Sequence, residues 1–201
     1  MKSLSGSGER GFTLIELLIS IGIGMVIMVA VANTFIAQSK FYNVQEQLNE
    51  MQQNARGAID LIAREIKLAG YDPLGTVISN GIPYSASQLE VLADLNGDGD
   101  TADADEDIVY SHDAANNRIL RATGGTTTTL ADNISGFDFT YLDGSANATT
   151  IPADIRQIQI NITAKTNKLD PNYSPNGGYR TYQLTSLITP QNLCYKGGSC
   201  P

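Results

Sequence analysis

The spacing of apolar side chains changes twice along the chain, and each change marks a different kind of element. Residues 12–32 are an almost unbroken apolar run in which Glu16 is the only strongly polar side chain, while Thr13 and Ser20 can bond back to their own helix. A helix of this length covers about 30 Å, the thickness of a bilayer's hydrocarbon core. Farther on, Phe41, Val44, Leu48, Met51, Ala55, Ile59, Ile62, Ile66 and Ala69 recur at three- and four-residue steps and so line one helix face. Gln45, Glu46, Gln47, Asn49, Glu50, Gln52 and Gln53 crowd the other side. The two stretches read as one helix over residues 13–69, closed by Gly70 as C-cap and blocked from continuing by Pro73. Its first half needs lipid or other helices as cover, and its second half needs a domain. Gly22 and Gly24 are the weak points inside the apolar run.

Residues 71–87 carry no periodicity and are punctuated by Pro73, Gly75, Gly81 and Pro83, which reads as a connector. Beyond it the period becomes two. Residues 88–93, 107–111, 118–122, 136–142, 155–165 and 179–188 are rich in β-branched and aromatic side chains and bounded by Asn, Asp and Gly, so six strands are predicted. Ile158, Ile160 and Ile162 alternate with Gln157, Gln159 and Asn161, and Phe137, Phe139 and Tyr141 repeat the pattern, which puts one face on a core and the other in water. Turn signals stand at 115–117, 124–125 and 143–144, and residues 171–178 read as an exposed loop. An antiparallel sheet laid on the amphipathic half of the helix buries all these faces, an α+β arrangement.

Between the first two strands lies Asp94-Leu95-Asn96-Gly97-Asp98-Gly99-Asp100, which follows D-x-N-x-D-G, the ligand spacing of an EF-hand-type calcium loop. Alternate side chains offer hard oxygens, and Gly99 lets the chain turn around an ion. Asp105 falls where the bidentate glutamate of such a loop stands, and Ala102 supplies nothing at the ninth position. The expected ligand set for Ca2+ is therefore Asp94, Asn96, Asp98, Asp100 and Asp105, short of a full loop, against the alternative of a solvated acidic turn.

The formal net charge of −8 argues against nucleic acid as a generic partner. His112 is the only histidine, its neighbour Asp113 has no Ser or Cys tied to it, and no Gly-rich phosphate loop precedes a helix. The reading is non-enzymatic, with His112 a surface residue at a strand end. One histidine and two cysteines also give poor support to a zinc site.

The segment Arg10-Gly11-Phe12-Thr13-Leu14-Ile15-Glu16-Leu17-Leu18-Ile19 resembles the class III prepilin signature of type IV pilins and type II secretion pseudopilins. It joins a short basic leader, a Gly before the cut, a Phe after it, and an acid five residues downstream. The resemblance implies cleavage between Gly11 and Phe12 by a prepilin peptidase, N-methylation of Phe12, and Glu16 as the assembly glutamate. A carboxylate inside an apolar span costs about 2.5 to 3.5 kcal/mol even on lenient scales, so Glu16 requires a partner. An α-amino group on Phe12, with a reference pKa of about 8, would supply one from a neighbouring subunit. A secretory signal, with Lys2 and Arg10 as its basic region and Ala30-Val31-Ala32 as its cleavage site, would have a shorter apolar region without Glu16. A plain anchor would leave the Gly-Phe junction unexplained.

The resemblance implies residues 1–11 as leader, 12–33 as transmembrane and assembly helix, 34–70 as amphipathic helix and 71–201 as the β-rich pilin domain. Losing the leader removes two basic side chains and one acidic one, so the mature chain is more acidic still. The helix end at Leu68-Ala69-Gly70-Tyr71 resembles PilW-type minor pilins, and the proline that many major pilins carry along this helix is missing. The expected role is a minor pilin in pilus initiation or the tip complex. It would sit single-pass in the inner membrane and then in the filament, with other pilins and the inner-membrane assembly machinery as partners. The alternatives are a J-like pseudopilin and a membrane-anchored calcium-binding module. In an exported chain, Cys194 and Cys200 are expected to form a small disulfide loop, with two free thiols as the alternative.

Overall fold

The computed structural model describes residues 11–75 and 80–193. The expected leader residues before Gly11, and both Cys194 and Cys200, lie outside that range. The chain divides into two units, Met1–Gln45 and Glu46–Pro201. Helix α1 (Leu14–Leu68) contributes to both, and its bounds fall within a residue of those expected from the apolar spacing.

In the first unit every described residue from Gly11 to Asn43 is exposed. In the second unit, α1 buries Met51, Ala55, Ala58, Ile59, Ile62 and Ile66, all but Ala58 on the strip that the three- and four-residue spacing picks out. The expected face began earlier, at Phe41, but Phe41 is exposed and Val44 only half-buried. The helix ends where Gly70, at φ +76°, takes the left-handed conformation and the Tyr71 amide donates to the Leu68 carbonyl at 2.9 Å. Gly81 must be glycine for a different reason: its backbone meets that of Gly70 so closely that a Cβ on Gly81 would lie 2.0 Å from the Gly70 nitrogen.

The strands are β1 (Gln88–Leu92), β2 (Asp107–Asp113), β3 (Arg118–Thr123), β4 (Thr126–Asp132), β5 (Ile134–Leu142), β6 (Gln157–Lys165) and β7 (Thr181–Ile188). All pairings are antiparallel between sequence neighbours, but the strands form two sheets, β1-β2-β3-β4 and β5-β6-β7, where one was expected. Alternation says which face of a strand is buried and not which strands share a ladder. The chain passes from one sheet to the other at Asn133, whose φ of +59° breaks the extended run. That junction is pinned by the Ile134 amide donating to the Asn117 carbonyl at 2.7 Å, and by His112 Nε2 donating to the Ile134 carbonyl at 3.0 Å. His112 is therefore a half-buried clasp between sheets rather than a surface residue.

Strand β4 was not expected at all. It opens with Thr126-Thr127-Thr128-Thr129, all exposed, so no alternation betrays it. Its hairpin with β3 turns at Gly124 and Gly125, both at positive φ, as a two-residue turn of the primed kind requires. Both sheets and the helix strip meet in a single core, to which Tyr110 and Ile119 come from one sheet and Phe137, Tyr141, Ile158 and Ile160 from the other. Residues 171–178, expected as an exposed loop, include the short 3-10 turn Pro175–Gly178, whose last glycine is buried.

Candidate functional sites

The start of α1 is built from a reciprocal pair. The Glu16 amide donates to Thr13 Oγ1 at 3.3 Å, while Glu16 Oε2 accepts from the Thr13 amide at 2.9 Å and from the Thr13 hydroxyl at 2.8 Å. This is a capping box, in which the cap residue and the acid three positions on satisfy each other's amides. Sequence reasoning gave Glu16 an assembly role and missed this local one, although Thr13-x-x-Glu16 is its plain signature. Downstream, the Ser20 hydroxyl donates to the Glu16 carbonyl at 2.7 Å and that of Thr34 to the Ala30 carbonyl at 2.9 Å. These hydroxyls therefore find their partners inside the helix, the condition for placing it in an apolar medium. By length and composition, α1 is apolar enough to cross a membrane.

The second site is the loop between β1 and β2. Its ends are joined by the Ala93 amide donating to the Glu106 carbonyl at 2.9 Å. Asp94 lies fully buried at its start, with Oδ1 accepting from the Gly97 amide at 2.6 Å and Oδ2 from the Gly99 amide at 3.2 Å. Gly97 and Gly99, at φ +76° and +91°, turn the backbone so that these amides face Asp94. Asn96 Oδ1 accepts from the Asp98 amide, Asp98 Oδ1 from the Asp100 amide and Asp100 Oδ1 from the Ala102 amide, a succession of tight local turns. Glu106 closes the loop from the far end, with Oε1 accepting from the amides of Leu95 at 2.8 Å and Asn96 at 3.2 Å. The nearby Asp103 carboxyl is pushed above its ordinary range, first by the charge of Asp98, while a bond from Asn96 opposes the shift.

Three expected ligands are not brought together with Asp94 and Asp98: Asn96 donates its side-chain amide to Asp98 and Asp103, Asp100 lies outside the carboxylate group, and Asp105 is drawn away. Asp105 adopts a positive φ of 70° and turns its carboxylate to Arg121, 2.6 Å from Nη2. Arg121 also holds Glu65 of α1 at 2.9 Å, and Tyr110 donates its hydroxyl to Glu65. Burial, and then the bond to Glu65, push the Tyr110 phenol well above its usual range. Asp105 thus belongs to a network tying α1 to β2 and β3. The group that the fold brings together is Asp94, Asp98 and Glu106, each offering a carboxylate oxygen within 4.8 Å of the others.

Residues 6–32 match the prokaryotic N-terminal methylation motif. Gly11, Phe12, Thr13 and Glu16 all lie within this methylation-motif segment. No curated protein matches the chain. Among solved structures, the type IV-like pilin TTHA1219 from Thermus thermophilus is similar over 71% of this chain and 97% of that one, at 14% identity and a TM-score of 0.43. A superposition this loose leaves the functional reading to the motif and to the chain's own geometry.

Proposed function

We propose that the chain is a minor pilin of the PilW type, a structural subunit of a type IV pilus. A prepilin peptidase cuts between Gly11 and Phe12, Phe12 is N-methylated, and residues 12–33 hold the subunit single-pass in the inner membrane until the assembly machinery draws it into a filament or its tip complex. There its helix packs against those of other pilins, and Cys194 and Cys200 close a small disulfide loop in an oxidising compartment. The observation that carries the reading is the methylation-motif match on a helix whose N-terminal apolar side chains are all exposed. An apolar surface of that extent needs external cover, and helices of other subunits replace lipid at little cost because both are apolar.

Glu16 supplies the polar part of that packing. Among the described residues Thr13 donates to Oε2, and Oε1 would face the cationic Phe12 amine of a neighbour. Each charge offsets the desolvation of the other. Glu16→Ala should leave cleavage intact and strongly deplete the subunit from sheared filaments when wild type and variant are expressed side by side. Equal recovery of the two in the filament fraction would overturn the pairing.

A further inference from the structure

We propose that the β1–β2 loop is a calcium site whose ligands are the carboxylates of Asp94, Asp98 and Glu106. The decisive observation is a single oxygen. Glu106 is 2% exposed and its Oε1 is satisfied by two amides, yet its Oε2 is buried with no hydrogen-bond partner among the described residues. A buried carboxylate oxygen without donor or counter-charge is costly, so its presence beside two further carboxylates points to a missing positive charge.

Among the described residues no side chain supplies that charge. Among the described residues, the ion pairs engage Asp113, Glu65, Asp105 and Asp170, and none involves Asp94, Asp98 or Glu106. Arg121, which approaches this end of the loop, is held between Glu65 and Asp105. The geometry suits a divalent ion instead. Two ligands bound to one Ca2+ at about 2.4 Å are separated by at most about 4.8 Å, and the three carboxylate oxygens lie within 4.8 Å of one another. All three donors are hard oxygens, which favours Ca2+ or Mg2+ over zinc or copper. Two ligands are buried and one is exposed, on a loop turned by glycines, so the site can adjust its coordination as Ca2+ allows and Mg2+ does not. The acid at the loop's end is Glu106, one position beyond the Asp105 that spacing selects, because Arg121 has captured Asp105.

The site lies within the second unit and is testable on the full chain in detergent micelles. After removal of bound ions with chelator, calorimetric titration with CaCl2 should show saturable binding of one ion per chain. Asp98→Asn, at an exposed position, should weaken it roughly tenfold or more without altering the circular dichroism or melting in chelator. Glu106→Gln should do the same to affinity, while Asp105→Asn should leave binding unchanged. Three results would overturn the assignment: no saturable binding at millimolar calcium, wild-type affinity in Asp98→Asn, or loss of binding in Asp105→Asn alone. Displacement of Ca2+ by equimolar Mg2+ would overturn the choice of calcium.

Discussion

The two parts of α1 are continuous in the chain and opposite in their surroundings. From Gly11 to Asn43 no side chain is buried, although nearly all from Phe12 to Ala32 are apolar. From Met51 to Ile66 the apolar side chains are fewer, yet they sit in a core. The difference lies in where the polar residues stand. Glu50, Arg56, Asp60 and Arg64 give the later part an outward face that water can solvate, so a domain covering one side suffices. Between Leu17 and Ser39 there is no charged side chain, and apolar residues surround the axis. Such a helix has no face to offer water and must be enclosed on every side, by lipid or by other helices.

The largest effect that would sharpen this contrast is a matched pair of truncations. Ile62 is fully buried, so Ile62→Ala should cost roughly 2 to 5 kcal/mol in urea unfolding of the folded domain, through lost burial and the cavity left behind. Ile19→Ala, at an exposed position, should change the same transition by less than about 0.5 kcal/mol. Similar losses from both would break the distinction between a packed half and one that awaits a partner.

A smaller effect concerns acid, and it belongs to the domain alone. The Asp170 carboxyl is held below its ordinary range, first by the Asn172 amide at 3.0 Å and then by the Arg180 guanidinium at 2.9 Å. A carboxyl whose folded pKa is depressed contributes stability that is full above its unfolded value of about 3.9 and is lost as pH falls through the folded one. Asp170→Asn should therefore be less stable than wild type at neutral pH, and the gap should close in strong acid. A gap that widened on acidification would reverse the sign and refute the pairing.

Much of this is legible in the sequence. The helix bounds followed from spacing because Gly70 and Pro73 are local stop signals, and the strip from Met51 to Ile66 followed because burial on a helix repeats with its own period. Strand β4 was hidden because four consecutive threonines, all exposed, have no alternation. The division into two sheets is hidden because it goes with a positive φ at Asn133, a bond from His112 to the Ile134 carbonyl and one from the Ile134 amide to the Asn117 carbonyl, contacts that no local pattern encodes. The acidic loop shows the same limit. Spacing located it and named Asp94 and Asp98, but ranked Asp105 above Glu106, because the arginine that takes Asp105 away lies 16 residues further along. Thr13 and Glu16 were a different kind of miss, since the capping box was written in the sequence and was eclipsed by the charge of Glu16 within the apolar run.

The central claim is that the helix from Phe12 onward is the processed end of an assembling subunit, and the N-terminal peptide of the chain recovered from cells tests it most directly. Mass spectrometry should find the chain beginning at Phe12 with one methyl group on its amine, and Gly11→Val should leave the leader attached. A mature chain that still begins at Met1, or one that begins after Ala32, would contradict the account.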